Sequence, residues 1–89
     1  MVEIHFGPMC GYWSKDMETN GYFALKQLEY LRERLKYQGY LYLNDVYESL
    51  GVVWSPDNEN VCFRSEEEFK PVLEMHESEI VIKIPVINF

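Results

Sequence analysis

Four side chains in this sequence are of the types that bind metal ions or act as nucleophiles. They are two histidines and two cysteines, at His5, Cys10, Cys62 and His76. Two thiolates and two imidazoles would satisfy the tetrahedral preference of zinc. Zinc motifs pair their ligands a few residues apart, however, and here only His5 and Cys10 approach that spacing. We therefore expect no metal and no other cofactor, with a small metal-binding protein or enzyme built around His5, Cys10 and His76 as an alternative.

The same residues form no recognisable catalytic motif. A cysteine nucleophile needs a neighbouring base and a third group that orients the base, and the sequence places neither histidine beside either cysteine. Carboxylates are plentiful, but they are scattered over positions that the residue patterns assign to the surface. We predict that the protein is not an enzyme and that its two cysteines are reduced structural thiols.

Three tyrosines are the best candidates for a binding surface. The stretch from Tyr40 to Leu43 alternates aromatic and aliphatic residues, so a strand here places both leucines on one face and both tyrosines on the other. Tyrosine suits binding surfaces because it combines a large rigid area with a polar tip. The predicted protein-binding surface consists of Tyr37, Tyr40 and Tyr42. Alternatively, the amino-terminal segment with Tyr12 and Trp13 covers these rings as a second layer of core.

The charge of the chain is strongly negative. Fifteen acidic residues against eight basic ones give a net charge of −7, which disfavours nucleic acids and anionic membranes as partners. Many of the carboxylates are crowded into the second half of the chain, at Asp57, Glu59, Glu66, Glu67, Glu68, Glu74, Glu77 and Glu79. They form either a solubilising surface or a surface that imitates phosphates toward a basic groove of a host protein.

Local patterns predict two helices and a small set of strands. Residues 2–6 alternate apolar and polar side chains, as in a half-buried strand. Apolar residues at helical spacing predict a helix from about Tyr22 to Gln38, which ends at Gly39. A second, short helix is expected to begin with Asn44 or Asp45 as its N-cap and to end at Gly51.

The second half of the chain is predicted to be mainly loop and hairpin. Residues 52–60 contain Ser55-Pro56-Asp57-Asn58 and indicate a loop, and at most one helical turn follows Ser65. Residues 72–76 and 79–84 are expected to pair as a hairpin across residues 77–78. The apolar carboxyl end, with Ile84, Val86, Ile87 and Phe89, makes a second copy of the chain a candidate partner through the final strand.

These elements predict a single α+β domain over residues 1–89, with two helices packed on a small antiparallel sheet. Their order is similar to that of winged-helix domains, so a divergent winged-helix transcriptional regulator is a further alternative. A DNA reader should next present a base-reading helix, but residues 53–60 have no such pattern. The function that we expect is therefore binding to another protein.

Part of the chain resembles a group of small proteins of unknown function that phages and related mobile elements of bacteria encode. The matching pieces are residues 37–52, with their Asp45-Val46-Tyr47 helix ending at Gly51, residues 56–58, and the closing residues 80–85, with the likeness covering roughly residues 22 to 85. The resemblance implies a phage-like accessory protein with a bacterial host protein as partner. It carries over no functional residue.

The sequence contains no segment that would direct it to a membrane. The first residues have neither a positively charged start nor an apolar run of signal-peptide length, and nothing elsewhere approaches a membrane span. We expect a cytoplasmic location, in a bacterial cell or phage host.

Overall fold

The computed structural model describes residues 1–53, 56 and 61–86, and in this part of the chain helices and antiparallel strands combine in an α+β fold. The elements are, in chain order, β1 (Val2–Phe6), α1 (Met17–Gln38), β2 (Leu41–Tyr42), α2 (Leu43–Ser49), β3 (Cys62–Phe63), β4 (Val72–Met75) and β5 (Ile80–Ile84). The predicted fold class is confirmed.

The larger sheet has the strand order β1-β5-β4, with both pairs antiparallel. The hairpin closes where the His76 N–H donates to the Glu79 carbonyl at 2.9 Å, as predicted. One face of the sheet is buried in the core, through Ile4, Phe6, Ile80, Ile82 and Ile84.

β5 is the central strand of the larger sheet. Residues 80–84 of the strand proposed to pair with a second copy are paired with β1 on one edge and with β4 on the other, and the homodimer itself stays a prediction. The strands at the sheet edges are β1 and β4. Ile87 and Phe89, which belong to the same prediction, lie outside the described residues.

Helix α1 begins at Met17, about one and a half turns before the predicted start. The Asp16 carboxylate caps it by accepting the Glu18 N–H at 3.1 Å, which satisfies one of the unpaired donors of a helix start. Hydrophobic spacing missed this first part because the buried residue there is the polar Asn20. The end is as predicted: Gly39 has a φ of 82° and donates its N–H to the Leu35 carbonyl at 2.8 Å.

Helix α2 also begins earlier than predicted. Its first residue is Leu43, and Asp45 is not the N-cap: its carboxylate instead accepts the Tyr42 N–H at 3.0 Å from inside the first turn. Leu43 donates its own N–H to the Val61 carbonyl at 2.9 Å, which continues the pairing of β2 with β3. The helix ends at Ser49, with Leu50 as its C-cap, and the predicted stop residue Gly51 follows with a φ of 70°, which favours glycine.

The segment after α2 is only partly described. Ser55, Asp57 and Asn58 of the predicted loop lie outside the described residues, as do most of the positions where a recognition helix would fall. The winged-helix order therefore stays a prediction. After Ser65 the chain makes a single turn, with the Glu68 N–H donating to the Ser65 carbonyl at 3.0 Å, in agreement with the expected limit of one turn.

Candidate protein-binding surface

The three predicted tyrosines lie around the turn that follows α1, and we call them the tyrosine surface. Tyr37, in the last turn of the helix, is 84% exposed. Tyr40 and Tyr42 follow Gly39 and are 42% and 43% exposed. Their rings pack edge to face with centroids 5.7 Å apart. The predicted alternation therefore places aromatic area at the surface.

The backbone around these rings is held by hydrogen bonds and by the core. The Gln38 side-chain amide donates to the Tyr40 carbonyl at 3.0 Å, and Asp45 accepts the Tyr42 N–H. Leu41 and Leu43 are completely buried, so the residues between and after the two tyrosines are anchored. The rings are therefore attached to an anchored backbone. The predicted strand is shorter than expected, because Leu43 belongs to α2.

The alternative interpretation, in which the amino-terminal segment covers these rings, is wrong. Trp13 packs on Phe6 with ring centroids 5.1 Å apart, and Tyr12 packs on Phe23 at 5.4 Å. Both rings are thus engaged with Phe6 and Phe23, while Tyr40 and Tyr42 keep about two-fifths of their surface in solvent.

An ion pair joins the two helices next to the tyrosine surface. An Arg34 guanidinium nitrogen lies 3.7 Å from an Asp45 carboxylate oxygen, and the second carboxylate oxygen holds the Tyr42 N–H. One side chain therefore links α1, α2 and the backbone of β2. An exposed pair of this kind contributes little to stability, but it orients the groups around the rings.

Sequence reasoning missed a fourth tyrosine on the same side of α1. Tyr30 is 60% exposed and precedes Tyr37 by seven residues, which is close to two helical turns and places both on one face. The signal was present in the sequence, because position 30 falls on the polar face of the predicted helix. An aromatic residue on that face has no core to bury it.

The residues considered for metal binding and catalysis have other partners. The His5 Nδ1 lies 2.8 Å from the Glu79 carboxylate, and the His76 Nε2 lies 3.2 Å from that of Glu74. Cys10 and Cys62 are free thiols, and the Cys10 Sγ is 3.9 Å from the His5 carbonyl. Within residues 1–53, 56 and 61–86 there is no group of three or more potential ligands that could hold a metal ion.

The solvent face of the larger sheet carries a charged cluster. The Lys83 ammonium lies 2.7 Å from a Glu74 carboxylate oxygen, across the β4–β5 pair. This hydrogen bond is the main cause that lowers the pKa of Glu74 and raises the pKa of Lys83 from their ordinary values. Glu3, His5, His76 and Glu79 line the same shallow depression. Three carboxylates thus share this face with one ammonium and two imidazoles, so the cluster is a mixed network and not a purely acidic surface.

The carboxylates of the second half are distributed over separate places. Glu66, Glu67 and Glu68 lie in the turn after β3, and Glu74 and Glu79 lie at the hairpin. Glu68 is used internally, since it accepts the Arg64 N–H at 2.7 Å. Asp57 and Glu59 lie outside the described residues. The phosphate-imitating surface stays a prediction.

Comparisons of this chain with protein-family models, with curated proteins and with solved structures found no match. None of the described helices is long and apolar enough to cross a membrane.

Proposed function

We propose that this protein is a small acidic binding module, which acts by contacting another protein through the tyrosine surface and not by catalysis. The observation that carries the proposal is the exposure of Tyr37, Tyr40 and Tyr42 on an anchored backbone. Aromatic rings that already pack on each other lose little conformational freedom on binding, so more of their contact energy becomes affinity.

The proposed partner is a bacterial host protein. This part of the proposal follows from the resemblance to phage-encoded accessory proteins and from the chain's net charge of −7, which favours a partner with a basic surplus. The proposed place of action is the bacterial cytoplasm. Tyr30 extends the contact area along α1, so the partner should touch both the helix and the turn that follows it.

The test is affinity capture from host lysate with three forms of the tagged chain. They are the native chain, a Tyr40→Ser/Tyr42→Ser variant, and a Tyr22→Ser control. Tyr22 is also exposed, but it lies about 22 Å from Tyr37 along the same helix. We expect the native chain and the control to retain one host protein. The captured amount of that protein should fall about tenfold with the double variant.

The captured protein is then purified, and its affinity for the three forms is measured by calorimetry. The proposal fails if the double variant binds it as tightly as the native chain does. It also fails if no protein is enriched over the untagged background. Circular dichroism spectra of the three forms establish that the loss is not caused by unfolding.

A further inference from the structure

The outer edge of β4 has main-chain groups that point away from the sheet. Along an antiparallel pair, residues alternate between those that bond across to the partner strand and those that do not. His76 bonds to Glu79, and Glu74 is opposite Val81 two residues earlier. The N–H and C=O groups of Leu73 and Met75 therefore face the free edge, where no described strand pairs with them.

An apolar groove runs beside this edge, between β4 and α1. Its volume is about 270 Å³, and its lining consists of Leu25, Leu28, Glu29, Arg32, Pro71 and Leu73. Leu25 is half exposed, as is Met75 at the end of the strand. Met75 packs so closely on the helix that a Cβ on Gly21 would lie 3.2 Å from its Cε.

We infer that the β4 edge is a second binding surface, which takes an extended segment of another protein as an added antiparallel strand. The segment has the pattern apolar-basic-apolar. Its apolar residues pair with Leu73 and Met75 and thus point toward the groove, because paired residues share a face of the sheet. Its basic residue lies opposite Glu74 on the charged face.

In the symmetric registers centred on Glu74 and on Leu73, charge and backbone chemistry disfavour a second copy of this chain as the occupant. A symmetric β4–β4 pairing that joins Leu73 to Met75 of the copy sets the two Glu74 carboxylates side by side, and like charges directly opposite are destabilising. A pairing centred on Leu73 brings Pro71 against Met75 of the copy, and proline has no N–H to donate. A basic residue in a foreign strand avoids both problems.

This surface is independent of the tyrosine surface, so the two proposals fail separately. The test uses two capped peptides, acetyl-Ser-Val-Lys-Val-Ser-amide and acetyl-Ser-Val-Glu-Val-Ser-amide, titrated into the ¹⁵N-labelled chain. We expect the lysine peptide to shift the amides of Leu73 and Met75 and to bind about fivefold tighter than the glutamate peptide. Replacing Glu74→Gln should remove most of that preference.

A matched pair of variants at one position tests strand addition itself. Met75→Pro removes an N–H that faces the free edge, which an edge strand tolerates, and should weaken the lysine peptide about tenfold or more. Met75→Ala shortens the same side chain but keeps the N–H, and should retain binding within about threefold. Thermal unfolding of both variants verifies that each is folded.

Four results overturn the inference. They are equal binding by the two Met75 variants, equal binding of the two peptides, peptide-induced shifts confined to Tyr37, Tyr40 and Tyr42, and no saturable binding at millimolar peptide. Sedimentation provides one more: a dimer that Met75→Pro dissociates would make the occupant a second copy and not a foreign strand.

Discussion

Two of the aromatic regions of this chain have opposite environments. The first region comprises Phe6 of β1, Trp13 of the following loop and Phe23 of α1. Phe6 is fully buried, and the ring centroids of Trp13 and Phe23 lie within 6 Å of its own. After the same helix, Tyr40 and Tyr42 contact each other at a similar ring distance, yet both remain substantially exposed. Both regions therefore have ring-to-ring contacts, but only in the first region does a further segment of the described chain cover the rings.

A buried polar side chain accounts for the difference. Asn20 accepts the Ser14 N–H and donates to the Ser14 carbonyl, both at 2.7 Å, which fixes the loop that carries Trp13 onto Phe6. In the described chain, Tyr40 and Tyr42 have no loop held over them in this way. Aromatic contact thus becomes core in the first region and remains a potential binding surface in the second.

The largest expected effect separates the two regions by stability. Replacing Phe6→Ala leaves a cavity in the core and should lower the free energy of unfolding by about 3–5 kcal/mol. Replacing Tyr40→Ala removes a ring that is two-fifths exposed and should lower it by less than about 1 kcal/mol. Urea unfolding of the two variants measures both values, and equal losses would contradict the assignment of core and surface.

The next effect concerns the anchor of the amino-terminal loop. Replacing Asn20→Ala leaves the Ser14 N–H and carbonyl without their partner and should cost about 2 kcal/mol. The loop should also release Trp13 into solvent, which shifts its fluorescence to longer wavelength. Measuring this in a Trp54→Phe background isolates the signal of Trp13. An unchanged spectrum would show that the aromatic contacts hold the loop without Asn20.

A smaller effect is expected at the turn that carries the tyrosine surface. Gly39→Ala should cost about 1 kcal/mol, because its φ of 82° strains any side chain. No atom lies within 4 Å of the added Cβ, so the loss reports backbone strain alone. Gly11→Ala is the matched control, since it too has open space but no positive φ. Thermal unfolding measures both variants, and an equal loss of melting temperature would exclude backbone strain at Gly39 as the cause.

The smallest expected effect is electrostatic and concerns the Glu74–Lys83 pair, which lies outside both aromatic regions. Glu74 has a lowered pKa because of its hydrogen bond with Lys83, so the stability that it contributes is present above its ordinary pKa of 4.5 and is lost as pH falls through the lower folded value. The raised pKa of Lys83 removes the same contribution at alkaline pH, as the ammonium deprotonates above 10.5.

We therefore expect the native chain and Glu74→Gln to differ slightly in melting temperature at pH 7 and to converge as the pH falls through the lowered pKa of Glu74. Glu33→Gln, on the exposed side of α1, serves as the control, and its difference from the native chain should not change in this way. A difference for Glu74→Gln that does not shrink as the pH falls below 4.5 would mean that the side chain acts through packing and not through its charge.

Much of the local structure could be predicted from residue spacing. The apolar alternation of residues 2–6, the hairpin across residues 77–78 and the end of α1 at Gly39 follow from periods of two and 3.6 residues and from turn chemistry. The start of α1 could not, because its buried position is the polar Asn20. Nor could the N-cap of α2, because Asp45 was a plausible cap and its carboxylate instead holds the Tyr42 N–H from inside the helix.

The same division applies to the candidate surfaces. Alternation alone placed Tyr40 and Tyr42 on the face opposite the leucines, but it left open whether the amino-terminal segment would cover them. That outcome depends on the packing of Trp13 on Phe6 and on the hydrogen bonds between Asn20 and Ser14, which alternation does not specify. The groove beside β4 was not predicted at all, since it requires α1 and β4 to lie next to each other.

By itself, the sequence determined which side chains are apolar, how they are spaced and where the chain turns, because these are local properties of neighbouring residues. The tertiary structure alone decided that β5 is the central strand and that β4 has a free edge. These features depend on contacts between segments far apart in the chain, and a periodic pattern specifies that a face must be buried but not which segment will bury it.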